Sequence, residues 1–324
     1  MAYVTFVATT RQDYHNQLRA ALVAEGFTLV DSTDSESRPS STFTFPSSAP
    51  IPMSFKLDNY AHSTNAQEIH LLQAGEGWDG SALINPSRAW GVGRDSGWSG
   101  QPLGGDFPSN VHLMIRDDQV AFVHNRDVDG RNHISVVGAF HSGGLSTNDF
   151  LVGGGAPSGG SAWTGSGGSC PMFQGWSTSD IRGSDGFSGQ VRISDSTDST
   201  IPDGWKHMFT HEPTYSGGAL THIWGNWGDN NARYQGVYHN HIPYMRYEPS
   251  LTTVLMPVIF PLHRGRGLNA IFGIQMKETY VTSNEYIGTA TELILDGKTY
   301  MCFYEQVPDY GGQLAYCFRS DDGA

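Results

Sequence analysis

The sequence predicts a mainly β, antiparallel fold, sandwich- or barrel-like, with an N-terminal amphipathic helix and long glycine-rich loops; a mixed α+β arrangement is the alternative. Three observations carry this. Short apolar runs recur along the chain with turn residues between them. Only one stretch shows clear helical periodicity. And 40 glycines and 16 prolines punctuate the 324 residues, leaving few uninterrupted windows for further helices.

The helix comes first. Thr9 or Thr10 could cap it, and Tyr14, Leu18, Ala21 and Leu22 form one apolar stripe. Gly26 supplies the stop, and Phe27-Thr-Leu-Val30 reads as a strand. A helix of about 15 residues is marginal alone, so the stripe must pack on a sheet, from this chain or a neighbouring subunit. Residues 1–30 are therefore expected to form a helix–strand element. Residues 31–50, rich in Ser, Asp, Thr and Pro, read as a linker or extended arm.

From 51 to 324 the text predicts a β-rich body. Its strand candidates are Glu68–Leu72, Ser81–Ile84, Val111–Ile115, Gln119–His124 and His133–Val137, the last two joined by a hairpin loop with an Asp129-Gly130 turn. Residues 142–190 are dense in glycine, but Trp163, Phe173, Trp176 and Phe187 recur among them, which reads as long loops pinned by aromatics. The run Thr252–Leu262 is interrupted by Pro257 and Pro261, which suits an edge strand. Ala270–Met276, Glu292–Leu295, Tyr300–Tyr304 and Leu314–Phe318 follow, with Asp296-Gly297 as a type I′ hairpin turn. No repeat at 20–50-residue spacing is visible.

Composition excludes several functions. Nineteen Lys+Arg against 32 Asp+Glu give a formal charge of -13, which argues against sequence-specific nucleic-acid binding because phosphates need a basic surface. No apolar run reaches the 18 residues of a membrane helix, and the N-terminus lacks the basic start of a secretory signal. Of the three cysteines, Cys302 and Cys317 could sit on neighbouring strands, but buried free thiols are the expectation, as for a chain made in a reducing cytoplasm.

Candidate chemistry is sparse. His207 and His211 are four apart and His239 and His241 two apart, spacings that place imidazoles on one face of a helix or a strand, with Glu212 beside them as a conceivable base. Gly204 and Pro213 disfavour a helix there, and the H-E-x-x-H order of zinc hydrolases is missing, so solvated or hydrogen-bonded strand histidines are the preferred reading. Cys170, in a Gly/Ser loop, has no identifiable base, and neither a nucleophile elbow nor a phosphate loop occurs. Gly91-Val-Gly93 is an incomplete dinucleotide fingerprint, and Asp127-Val-Asp129-Gly130 lacks the downstream glutamate of a calcium loop. No catalytic residue and no cofactor are expected. Trp78, Trp90, Trp98, Trp224 and Trp227 are candidate interaction residues, able to stack on sugar rings or, by the preferred reading, to pack over bare backbone or fill a subunit interface.

Several segments resemble virion structural proteins of tailed bacteriophages. Tyr14–Leu29 is similar to the amphipathic helix and strand that open many of them, and Glu68–Gly80 to their strand leading into a glycine-rich turn. Gly130–Gly144 and the C-terminal strand Gly297-Lys-Thr-Tyr-Met-Cys-Phe303 resemble further stretches, while the Gly/Ser-rich middle has no counterpart. The resemblance implies a non-enzymatic subunit of the tail, neck, collar or baseplate, located in the virion and held by copies of itself and by other virion proteins. A receptor- or glycan-binding module at the baseplate or tail tip is the alternative, and a histidine-ligated metal hydrolase the third reading.

Overall fold

A computed structural model describes residues 1–49, 52–61, 68–87, 90–93, 107–126, 132–139, 141–142, 150–155, 189–192, 205–207, 221–222, 225–226, 255–263, 271–283, 290–307 and 312–321. The chain runs β1 (Ala2–Ala8), α1 (Arg11–Ala24), β2 (Thr28–Thr33), β3 (Ser40–Thr44), β4 (Ser54–Ala61), β5 (Glu68–Gly75) and β6 (Trp90–Gly93). Next come β7 (Ser109–Ile115), β8 (Gln119–Arg126), β9 (Asn132–Ala139), β10 (His141–Ser142), β11 (Phe150–Gly155), β12 (Gly189–Arg192) and β13 (Trp205–His207). The C-terminal part holds β14 (Thr221–His222), β15 (Gly225–Asn226), β16 (Met256–His263), β17 (Ile271–Ser283), β18 (Thr291–Leu295), β19 (Lys298–Val307) and β20 (Gly312–Arg319).

These strands form three main antiparallel sheets. The five-stranded sheet has the order β2-β3-β4-β5-β6, the seven-stranded sheet β1-β7-β8-β9-β11-β12-β13, and the six-stranded sheet β10-β17-β20-β19-β18 with β16 paired to β17. None closes into a barrel, so of the two expected β architectures the layered one holds. Only one helix lies among the described residues.

The seven-stranded sheet is the middle layer. Strand alternation puts Val111, Leu113, Ile115, Val120, Phe122 and Val137 on one face, where they share a core with Phe43, Phe55, Leu57 and Leu72 of the five-stranded sheet. The opposite face carries Met114, Ala121, Val123, Ile134 and Val136, also buried. It meets the six-stranded sheet, where the His112 and Phe303 rings lie 5.1 Å apart. Burial on both faces explains why β8 reads as a nearly continuous apolar run.

Sequence rules locate α1 closely. Thr10 is the N-cap, its side chain accepting from the Asp13 amide, while Asp13 in turn accepts from the Thr9 amide at 2.8 Å. The stop is Gly26 at φ +88°, with the Phe27 amide reaching back to the Leu22 carbonyl. Tyr14, Leu18 and Leu22 are fully buried in the core between the two N-terminal sheets, so the bed of the helix is this chain's own sheets. The region 31–50 is not a linker. It completes β2 and forms β3, in which Ser41, Thr42 and Phe43 are fully buried. Some of its small polar residues are bonded inside the fold, as Ser41 is to Arg19 and His15.

Most of the C-terminal expectations hold. β18 and β19 are joined by Asp296 and Gly297, both at positive φ as a type I′ turn requires. β16, which contains Pro257 and Pro261, pairs with β17 alone. Ser81–Ile84 is not a strand but the returning arm of a tight hairpin, with a single bridge between Trp78 and Leu83. Cys302 and Cys317 do face each other on neighbouring strands, β19 and β20, and they are joined as a disulfide rather than held as free thiols. Among the described residues no helix is long and apolar enough to cross a membrane.

Candidate functional site: a buried histidine chain

Of the histidines proposed as metal ligands, His207 lies on the short terminal strand β13, while His211, His239 and His241 fall outside the described residues. Among the described residues no group of three or more His, Cys, Asp or Glu side chains could hold a metal ion. Trp78 sits half-buried on the hairpin after β5, and Trp90 lies on β6; Trp98, Trp224 and Trp227 fall outside the described residues, as does Cys170. The hairpin is tightly built. The Asp79 carboxylate accepts from the Ser81 and Ala82 amides at 2.8 Å each, and these bonds hold it below the usual carboxylate range. Asn85 donates to Glu76 at 2.8 Å across its base, and Ile84 stands 41% exposed on its outer side.

The densest polar cluster lies elsewhere, on residues not singled out by spacing. His15 on α1, His70 on β5 and His124 on β8 converge in the gap between the two N-terminal sheets, all buried. Asn59 Oδ1 fixes the direction of the hydrogen bonds, because a carbonyl oxygen can only accept: His15, kept neutral by burial, carries its proton on Nε2 and accepts at Nδ1. Arg19 starts the chain. Its Nε donates to Ser41 Oγ at 2.8 Å, and the Ser41 hydroxyl donates to His15 Nδ1, also at 2.8 Å. His15 Nε2 then carries its proton to Asn59 Oδ1 at 3.1 Å, and Asn59 Nδ2 donates to His70 Nδ1 at 2.5 Å. The result is a one-way chain, Arg19 to Ser41 to His15 to Asn59 to His70, with the His15 imidazole neutral.

A second arm meets the first at His70. The Tyr14 hydroxyl and His124 Nε2 share a hydrogen bond at 3.3 Å, and the His70 and His124 ring centroids are 4.8 Å apart. Tyr14 also packs edge-on against both His15 and His70. Burial pushes His15 and His124 down to about 4, helped at His15 by the nearby Arg19 charge and opposed by its bond to Asn59. Burial raises the Tyr14 hydroxyl. At the solvent end, Arg19 pairs with Asp34 and donates to the Ser40 carbonyl at 2.8 Å.

The chain of polar groups is therefore a closed internal truss tying α1 to β3, β4, β5 and β8. A signal for it does exist in the sequence: His15 adjoins Tyr14 on the apolar stripe, Arg19 follows one turn later, and His124 shares the alternation of Val120 and Phe122. What the spacing lacks is any way to say that the three histidines meet.

A smaller ionic cluster joins the six-stranded sheet to the β7–β8 turn. Glu278, at φ +46°, accepts from the Tyr280 hydroxyl at 3.0 Å and pairs with Arg319 at 3.5 Å, which also binds Asp321 at 2.6 Å. Burial first, then the Glu278 contact, pushes Tyr280 up to about 12. Desolvation lowers the nearby Arg116, with Glu278 opposing it. Left-handed backbone at a non-glycine residue costs about 1–3 kcal/mol, and the Tyr280 and Arg319 contacts hold Glu278 there.

Compared with known proteins, the chain matches no protein-family model and no characterised protein sequence.

Proposed function

We propose that this chain is a non-enzymatic structural subunit of a tailed-phage virion, assembling with copies of itself and with other virion proteins at the neck or collar or along the tail. The observation that carries the reading is the inward use of its chemistry-bearing side chains. His15, His70, His124, Arg19 and Asn59 are spent on fastening a helix between two sheets, and Glu278, Tyr280 and Arg319 on bonds within the six-stranded sheet. A stack of three open sheets with a fully packed middle layer is suited to bearing load and to offering strand edges to neighbours. The segments similar to phage virion proteins include α1 and the β19 strand, both of which are core elements here.

Mass spectrometry and imaging of purified particles test the proposal. The expected result is this chain present in fixed multiples of three or six, with its density in a ring of the neck or tail. A soluble chain absent from particles overturns it.

The rigid hairpin bearing Trp78 supports a second reading, a receptor- or glycan-binding module at the baseplate or tail tip. Glycan-array binding that is lost on Trp78→Ala would favour it, and intact assembly with no glycan signal would count against it.

A further inference from the structure

Strand β1 stands at one end of the seven-stranded sheet and among the described residues pairs only with β7, in unbroken register from Ala2↔Ile115 to Ala8↔Ser109. Its sequence, Ala-Tyr-Val-Thr-Phe-Val-Ala, contains no charge, no proline and no bulge, the devices by which proteins usually protect an edge. Although Ala2, Val4 and Phe6 pack against the main core, no residue from Ala2 to Val7 is fully buried, and Val7 is 51% exposed. The neighbouring β7, by contrast, buries five of its seven residues. Gln17 Nε2 donates to the Val7 carbonyl at 2.9 Å, so that carbonyl can be reached from outside the sheet, and its second lone pair remains for a further donor.

We propose that β1 is the docking edge for a second copy of this chain, with two β1 strands pairing antiparallel about a twofold axis at Thr5 and fusing two seven-stranded sheets into one. The strand is nearly its own complement in that register. Ala2 faces Ala8, Tyr3 faces Val7, Val4 faces Phe6, and Thr5 faces Thr5 of the second copy. Core-side residues meet core-side residues, as the period of two demands. Aromatic–β-branched and Thr–Thr pairs are among the favourable cross-strand partners. The same pairing sets Tyr3, whose ring stacks on His112 of its own sheet, opposite each exposed Val7. The far end of the sheet, β13, offers only three residues, so a head-to-tail join of β1 to β13 would form a far shorter ladder. The contact is isologous, and it goes beyond the virion role, since it is expected of the purified chain in dilute solution whether or not the chain is found in particles.

The test is the solution mass of the full chain by sedimentation or light scattering. The native chain is expected at twice 35.3 kDa, or at a larger mass that Thr5→Lys halves. Thr5 is exposed, so Thr5→Lys and Thr5→Glu should leave the far-UV circular dichroism spectrum unchanged while placing like charges face to face and abolishing the pair. Mixing the two variants in equal amounts should restore the doubled mass, because a position on a twofold axis meets only itself. A native chain that stays single at high micromolar concentration, a Thr5→Lys chain that keeps its doubled mass, or a mixture that fails to reassemble would each overturn the inference.

Discussion

His70 and His124 face each other from different sheets, ring centroids 4.8 Å apart, in the buried gap that α1 closes. A charge on His124 would lie there with little water to screen it, and burial keeps that ring neutral.

Acid should therefore loosen this part of the molecule. An unfolded histidine titrates near 6.5, whereas folded His15 and His124 titrate at about 4. Between those values the unfolded chain binds more protons, so stability rises with pH. It is fully present above about pH 6.5 and is lost progressively as pH falls towards 4, by on the order of 3 kcal/mol per histidine. Urea midpoints at pH 7 and pH 4.5 would show the loss. A chain carrying His15→Gln and His124→Gln should show a much flatter pH dependence, and an unchanged slope would refute the assignment.

Asn59 bridges two of the rings, so Asn59→Ala removes a partner from His15 and from His70 at once. Leaving such buried groups without a bond costs roughly 1–3 kcal/mol each, for a total of about 2–6 kcal/mol. Chemical denaturation should report that loss at neutral pH, while Asn16→Ala, on the exposed face of α1, should change stability by less than about 0.5 kcal/mol.

Gly138 in β9 sits at φ +144°, and a Cβ there would lie 2.3 Å from the Asp118 carbonyl oxygen and 2.4 Å from Gln119 Cα. Both obstacles are backbone, so they cannot rotate away. Gly138→Ala should cost more than about 2 kcal/mol. Gly80→Ala, also at positive φ but with nothing near its Cβ, should cost only the conformational penalty of roughly 1 kcal/mol. Equal thermal shifts for the two would contradict the steric account.

Thr42 Oγ1 is buried without a hydrogen-bond partner. Replacing the hydroxyl by a methyl group relieves that desolvation, so Thr42→Val should leave stability unchanged or raise it by about 1 kcal/mol. A fall in thermal midpoint would mean that the hydroxyl has a partner in solution.

Cys302 and Cys317 are 15 residues apart and joined across β19 and β20. Closing a loop of that size contributes about 3 kcal/mol by chain entropy. Dithiothreitol should lower the thermal midpoint of the native chain and leave that of a Cys302→Ala, Cys317→Ala chain unmoved.

The local elements were legible because their causes are local. Thr10, the Tyr14–Leu22 stripe and Gly26 specify α1, alternation specifies β7 to β9, and Asp296-Gly297 turns β18 into β19. Where composition stood in for cause, the reading slipped. The Ser- and Thr-rich stretch 31–50 resembles a linker until Ser41 is seen to be bonded by Arg19 and His15, and Cys302 and Cys317 resemble free thiols until register sets them opposite. The histidine chain was hidden for the same reason. Sequence alone determined that this would be a β-rich chain with one helix, since periodicity and turn chemistry act over a few residues. Only the tertiary structure decided that three sheets stack with the seven-stranded one in the middle, and that His15, His70 and His124 meet: the three lie on different elements, and the desolvation that keeps His15 and His124 neutral exists only once the sheets close over them.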